Sequence, residues 1–310
     1  MHIRILGSAA GGRFPQWNCG CGNCVAVRGR SSQGEFHGKG RTQAQLALSA
    51  DGISWFLAGA SPELAFQIEA TPELHPRSLR DSPVAGVVLA SADLDHILGL
   101  LSLRELQPLR VYAAPSILKI LLEENSMFGM LNRVEPQVAW TPMSAGSMFP
   151  LLNAAGGDSG LGCEVVYLSG RYPKYVKNTE LARDETGAAL FFGSESAGYG
   201  TRRVAYIPAI ARLSDALLER INGVDLLLFD GTFWSDDELI RVQGGGETAR
   251  QMGHIPVEES LVLLKNLKVG RRMFIHLNNT NPILNEAGPE NRVVRQAGWE
   301  VAEDNWQVEL

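Results

Sequence analysis

Only four cysteines and six histidines occur in 310 residues, and no apolar run approaches the roughly 18–20 residues of a membrane span. A secreted disulfide scaffold would spread more cysteines along a shorter chain, so that class is excluded. Positive charge is not in excess either: 28 Lys+Arg stand against 34 Asp+Glu, a formal charge of −6. Without a basic run there is no electrostatic footprint for nucleic acid or for an anionic membrane surface. The opening Met1-His2-Ile3-Arg4-Ile5-Leu6-Gly7-Ser8 is too short in its apolar run for a signal peptide and breaks at Ala9-Ala10-Gly11-Gly12. The expectation is a soluble, cytoplasmic protein with neither a nucleic-acid nor a membrane partner. Internal repeats, low-complexity tracts and interdomain linkers are also lacking. What remains, 45% hydrophobic and 20% charged residues, is ordinary globular composition and argues against disorder.

Short apolar runs predict strands at 3–6, 45–49, 53–57, 84–90, 110–113, 164–168, 189–192, 203–207, 225–229 and 272–276. Helical periodicity predicts helices at 62–69, 96–106, 115–128, 214–221, 257–267 and 289–296, the last two with proline before or inside the first turn. Several strands precede the first long helix, which suggests two sheets with helices outside rather than strict βαβ alternation. Gly156-Gly157 and Gly244-Gly245-Gly246 read as surface loops.

Three of the four thiols fall within six residues, as Cys19-Gly20-Cys21-Gly22-Asn23-Cys24. Glycine lets the backbone fold back so that three sulfurs converge on one ion, as a tetrahedral zinc site requires. The alternatives are unrelated thiols or a Cys21/Cys24 redox pair. Cys163 sits in an apolar run and reads as a small buried hydrophobe. The nearest histidine to the cluster is His37, in the 31–40 loop.

A second cluster follows the apolar run 84–90. Ser91-Ala92-Asp93-Leu94-Asp95-His96 places two carboxylates and an imidazole at a strand end, just before a helix. Such groups suit a metal centre, and the competing reading is helix capping by aspartate. His276 ends the strand Met273-Phe274-Ile275, and His254 follows a glycine run just ahead of a helix. His276 is therefore expected on a rigid element as a metal ligand, and His254 on a mobile segment as an acid–base group. Asp230 ends another buried strand and competes with a plain turn role before Gly231. His2, His37 and His75 have no companion ligands nearby.

Together, Gly7-Ser8-Ala9-Ala10-Gly11-Gly12, Gln16-Trp17-Asn18-Cys19, Asp95-His96, Phe229-Asp230-Gly231-Thr232, Gly253-His254 and His276-Leu277-Asn278-Asn279-Thr280-Asn281-Pro282 resemble the pyrroloquinoline quinone biosynthesis protein B family, in order from Met1 to Leu310. The resemblance implies one domain over 1–310, an α/β fold of the metallo-β-lactamase type (an αββα sandwich), with an N-terminal Cys-rich zinc loop at about 17–26. It implies Asp95, His96 and His276 at the active-site metal, with Asp93 beside them as a ligand or catalytic acid. Cys19, Cys21 and Cys24 would hold a separate structural zinc. Relatives with this thiol cluster complete it with a histidine three residues after the last metal histidine. Here that position is Asn279, which leaves Asn279, His37 or water as fourth ligand.

Departures from the superfamily pattern bear on function. Ser91 and Asp93 replace the first two histidines of His-x-His-x-Asp-His, residues 163–192 hold no histidine, and Pro208-Ala209-Ile210 stands where a bridging aspartate is expected. Tyr172-Pro173-Lys174-Tyr175-Val176-Lys177 replaces a histidine-rich stretch of the family. Two acids and two histidines fit one open metal centre better than two, with iron expected and zinc or manganese as substitutes. Such a centre suits oxygen chemistry, and the resemblance implies an oxygenase that hydroxylates a small-molecule or peptide-derived, tyrosine-containing precursor. Asn278 and Thr280 would bind substrate carboxylates, and a homodimer completes the expectation. The alternatives are a phosphodiester hydrolase, with a second metal bridged by Asp230, and a non-catalytic quinone carrier.

Overall fold

The computed structural model describes all residues except 30–35, 135–136, 178–185 and 195–202. By contacts, the chain divides into two units. The first comprises Met1–Leu6, Gln45–Arg203 and Asn305–Leu310. The second comprises Gly7–Ala44 and Val204–Asp304.

In the first unit a sheet runs in the order β14 (Gln307–Glu309), β1 (His2–Gly7), β2 (Gln45–Ser49), β3 (Trp55–Ala58), β4 (Val84–Val88), β5 (Leu109–Ala113) and β6 (Val138–Pro142). Strands β3 to β6 are mutually parallel, and β14 pairs antiparallel with β1. Strands buried on both faces read as continuous apolar runs, and β3 and β4 are buried throughout. Leu57, Val87, Val111, Ile117 and Leu121 belong to one apolar core with helix α4 (Pro115–Leu122). Proline opens α4 at its first turn, where the missing N–H costs nothing. β7 (Phe149–Leu152), β8 (Asp158–Leu168) and β9 (Gly187–Ser194) form an antiparallel meander in the same unit.

In the second unit β10 (Val204–Ile207), β11 (Leu226–Asp230), β12 (Arg271–Ile275) and β13 (Glu300–Val301) are parallel neighbours. Helix α5 (Asp215–Ile221) links β10 to β11, capped by Ser214, whose side chain accepts the Leu217 N–H. Helices α6 (Glu238–Gln243) and α7 (Val257–Leu263) lie between β11 and β12 in the chain, and α8 (Pro289–Gln296) between β12 and β13. Gly244 ends α6 with φ 76°, a left-handed cap that glycine adopts without a Cβ clash. Trp299 stacks on Phe274 with centroids 4.2 Å apart.

Several local expectations need correction. The helix expected over 96–106 is α3 (Leu94–Ile97) followed by a 3₁₀ segment, Leu98–Leu103. The backbone bonds are diverted there: Gly99 N donates to Ala60 O at 2.8 Å and His96 O accepts from Ala60 N at 2.7 Å, and a Cβ at Gly99 would stand 2.2 Å from the Ser61 carbonyl oxygen, so only glycine permits this approach. The helix expected over 115–128 ends at Leu122, and the 257–267 helix ends at Leu263. The cysteine segment is partly helical, α1 (Gly22–Val27), where a loop was expected. Among the described residues, no helix is long and apolar enough to cross a membrane.

Candidate metal centres

Within the second unit, Asp230 at the end of β11, His254 ahead of α7 and His276 just after β12 bring one donor atom each within 4.8 Å of one another. All three are buried. Gly231 lets the two strand ends close up: a Cβ there would meet Leu277 Cδ2 and Phe274 Cβ at 2.8 Å. His276 itself has φ 61°, a left-handed conformation that costs a non-glycine residue free energy. The neighbouring backbone holds it there, because Leu277 N donates to Ser8 O at 2.9 Å and Asn278 N to Thr232 O at 3.0 Å.

The hydrogen bonds fix the tautomers. Asp230 Oδ2 accepts from Ile210 N at 3.0 Å and from His254 Nδ1 at 2.8 Å. Its Oδ1 accepts from Thr232 N at 3.0 Å and from the Thr232 hydroxyl at 2.7 Å. A carboxylate offers about four lone-pair sites, and all four are used. Thr232 has spent its single proton on Asp230, so its oxygen must accept the proton of His276 Nδ1, 2.8 Å away. One carboxylate thus sets both rings with Nδ1 as the donor, which in the neutral ring puts the lone pair at Nε2, the tautomer in which imidazole ligates metal through that atom. The rings stack at 5.6 Å with an interplanar angle of 23°. His254 is not on an open, mobile segment as expected; the Asp230 bond and burial hold it. Nor does it cap α7, whose N-cap is Pro256 without a side-chain cap bond.

The first unit carries a similar relay after β4. The Ser91 hydroxyl donates to Asp93 Oδ2 at 3.0 Å and lies 2.9 Å from His96 Nδ1. With its proton on Asp93, Ser91 accepts from Nδ1–H, and His96 also keeps its lone pair at Nε2. Asp95 Oδ2 lies 4.0 Å from His96 Nε2. Asp93 is the N-cap of α3, yet its side chain makes no cap bond. The Tyr175 hydroxyl donates to the Ala92 carbonyl, and burial, reinforced by the Asp93 charge, pushes its pKa up.

The thiols Cys19, Cys21 and Cys24 form a third group in the second unit. Asn279 Nδ2 stands 3.1, 3.6 and 3.4 Å from their three sulfurs. A zinc tetrahedron with bonds of about 2.3 Å to sulfur and about 2.0 Å to oxygen has sulfur–oxygen edges of roughly 3.5 Å. These distances are compatible with the Asn279 amide serving as a fourth donor to an ion held by the three sulfurs, and rotating the amide would present Oδ1 to it instead of Nδ2. Burial pushes the Cys24 thiol up to about 12, with the neighbouring sulfurs adding to it. At Cys19 burial acts in the same upward sense, but hydrogen bonds from Cys21, Cys24 and Asn279 outweigh it and the thiol is lowered. A divalent cation would remove this asymmetry by deprotonating all three. Among the described residues no histidine joins the group. The His37 backbone is tied to Asn285 and Glu286 instead, and the loop leading to it begins outside the described residues.

Asn278 and Thr280, expected to bind substrate, bond to each other, and the Thr280 hydroxyl donates to Glu238. Glu238 had no sequence signal. Its buried carboxyl also accepts the Trp234 N–H at 2.6 Å, and burial raises its pKa to about 7 despite these bonds. Thr232 and Ser91 were also unassigned; Thr232 lies inside the Phe229–Thr232 string, its only sequence signal.

Residues 54–277 match the model of the β-lactamase superfamily domain. The coenzyme PQQ synthesis protein B of Methylobacterium radiotolerans is 40% identical over 317 residues, covering 100% of both chains. That of Bradyrhizobium diazoefficiens is 38% identical over 316 residues, again covering 100% of both. Among solved structures, zinc-bound PqqB from Methylobacterium extorquens matches with a TM-score of 0.88 at 39% identity, over 100% of both chains. A diphosphatase of the PhnP family matches at 0.66 with 19% identity over 100% of this chain and 97% of that one, a likeness of fold alone. The metallo-β-lactamase fold expected from the sequence is borne out.

Proposed function

The chain belongs to the coenzyme PQQ synthesis protein B family of the β-lactamase superfamily, and from that premise we propose that it serves coenzyme PQQ synthesis as a mononuclear, metal-dependent hydroxylase of a tyrosine-derived precursor. The observation that carries the metal assignment is the Asp230 network, which holds Nδ1 of both His254 and His276 and so directs the lone pair of each neutral ring to Nε2. We read both imidazoles as ligands. Asp230, with every lone pair engaged, orients them and does not bridge two metals. Asp95 and His96 are the further ligands that the resemblance assigns, with Asp93 acting through Ser91 to hold the His96 ring. Bound to these nitrogen and oxygen donors, iron would supply oxygen activation, and zinc or manganese would compete for the same set. The protein's own contribution is orientation: fixed tautomers, buried rings and a strained His276 backbone held in place by its neighbours. The thiol group with Asn279 fits a closed structural zinc.

The test is anaerobic reconstitution with Fe²⁺, followed by exposure to oxygen with a tyrosine-containing peptide precursor and excess ascorbate, the two-electron reductant that takes the second oxygen atom to water. Oxygen uptake matched to ring hydroxylation is expected, with one equivalent of iron beyond one zinc. Two tightly bound active-site zincs and hydrolysis of a phosphodiester, without oxygen uptake, would replace this reading by the hydrolase. Stoichiometric binding of a quinone without turnover would replace it by a carrier.

A further inference from the structure

Arg110 interrupts the otherwise buried β5. Its neighbours Leu109 and Val111 join the apolar core on one face of the strand, so Arg110 and Tyr112 project from the other. There they line an open cavity of about 290 Å³ with Thr141, Ser144, Ser147 and Phe149, and no carboxylate is among its lining residues. Arg110 Nε is buried and has no hydrogen-bond partner among the described residues. The Tyr112 hydroxyl accepts the Leu152 N–H at 2.9 Å, which leaves its proton free to be donated. At Gly156 a Cβ would stand 3.3 Å from Arg110 Nη2, so the guanidinium fills space that a larger residue would crowd.

A cation and several hydroxyls thus face one solvent-reachable space, with no anionic side chain among the described residues that line it. Withdrawing guanidinium N–H groups from water without a partner is unfavourable, and a small anion would satisfy them with charge-assisted bonds. We propose that this cavity binds a small oxyanion, a phosphate or carboxylate group, paired with Arg110 and hydrogen-bonded by Tyr112, Ser144 and Ser147. The site is separate from the Ser91–His96 loop. Parallel pairing sets Arg110 opposite Gly86 inside β4, five residues before Ser91, and none of the cavity's lining residues belongs to that loop. It does not depend on the function proposed above.

The test is thermal denaturation of the holoprotein in sodium phosphate or sodium succinate, against sodium chloride at matched ionic strength. At least one oxyanion should raise the Tm saturably above the chloride baseline; which one does so distinguishes phosphate from carboxylate recognition. Arg110→Met should abolish that rise while melting no lower than wild type in chloride, because the charge it removes had no partner. Ser147→Ala, at an exposed position, should keep the wild-type melting temperature and weaken the apparent anion affinity several-fold. Equal shifts in wild type and Arg110→Met, or no shift beyond chloride with either anion, would overturn the proposal.

Discussion

Replacing Thr232 by valine separates the orienting role of the hydroxyl from its bulk. Valine nearly matches threonine in volume but deletes two hydrogen bonds, the 2.7 Å bond to Asp230 and the 2.8 Å bond from His276 Nδ1. His276 is 7% exposed, so its Nδ1–H would have no ready access to water. Leaving a buried donor unmet costs about 1–3 kcal/mol. The ring can escape by moving its proton to Nε2, but that removes the lone pair a metal needs. Either way affinity falls, and loss of such an orienting partner typically weakens metal binding 10–100-fold, about 1.4–2.7 kcal/mol. Asp230 keeps its bonds from Ile210 N, Thr232 N and His254 Nδ1, so the damage should be confined to His276. Thr232→Ser restores the hydroxyl and should recover affinity to within a few-fold. The assay is competition between the apo active site and a fluorescent chelator for Mn²⁺ or Zn²⁺, with the thiol site loaded beforehand. A Thr232→Val protein that binds metal as tightly as wild type would refute the relay.

Three further outcomes are expected. Cys21→Ser should lose one zinc per chain and melt lower while retaining the active-site metal, read by metal analysis and calorimetry; full zinc content with an unchanged Tm would rule out a zinc role for the thiols. His254→Ala and His276→Ala should each lose the active-site metal and keep the thiol-bound zinc; a metallated but inactive His254→Ala protein would return that residue to an acid–base role. Glu238, raised from 4.5 to about 7, binds its proton more tightly folded than unfolded, so its stabilising contribution is complete below about 4.5 and is lost as pH rises through about 7. Urea titrations at pH 5 and pH 8 should therefore show wild type losing on the order of 3 kcal/mol relative to Glu238→Gln, and parallel pH profiles would contradict the assignment.

The parallel strands were legible because burial on both faces leaves unbroken apolar runs such as Leu226–Asp230 and Val84–Val88. Strands β6, β7, β13 and β14 carried no such signal. β6 is only partly buried and ends in proline, and β13 and β14 span two and three residues. Their strand state depends on a neighbouring strand, not on their own pattern. Helix α1 was hidden for a different reason. Its glycine and cysteine, following Cys19-Gly20-Cys21, read as a loop, and Cys24 is its buried residue, facing the other thiols and Asn279.

The same distinction applies to the metal centres. His96 and His276 are conspicuous because an imidazole after an apolar strand has few structural explanations, and His254 because it stands between a glycine run and a helix, so all three could be named from the sequence. Their orienting partners could not be named equally well. Ser91, Asp93 and His96 lie within six residues, and their relay is local enough that a residue-by-residue reading could in principle find it. Thr232 and His276 are 44 positions apart and meet because β11 and β12 pair in parallel, with Gly231 allowing the close approach. A threonine following Asp-Gly is an ordinary turn residue until that register is known. Asp230 shows the same dependence: as the last residue of an apolar run it reads as a turn, and only four converging donors make it the anchor of both rings. The ligands of such a site are encoded in residue type, whereas the protonation state that lets them bind is encoded in strand register.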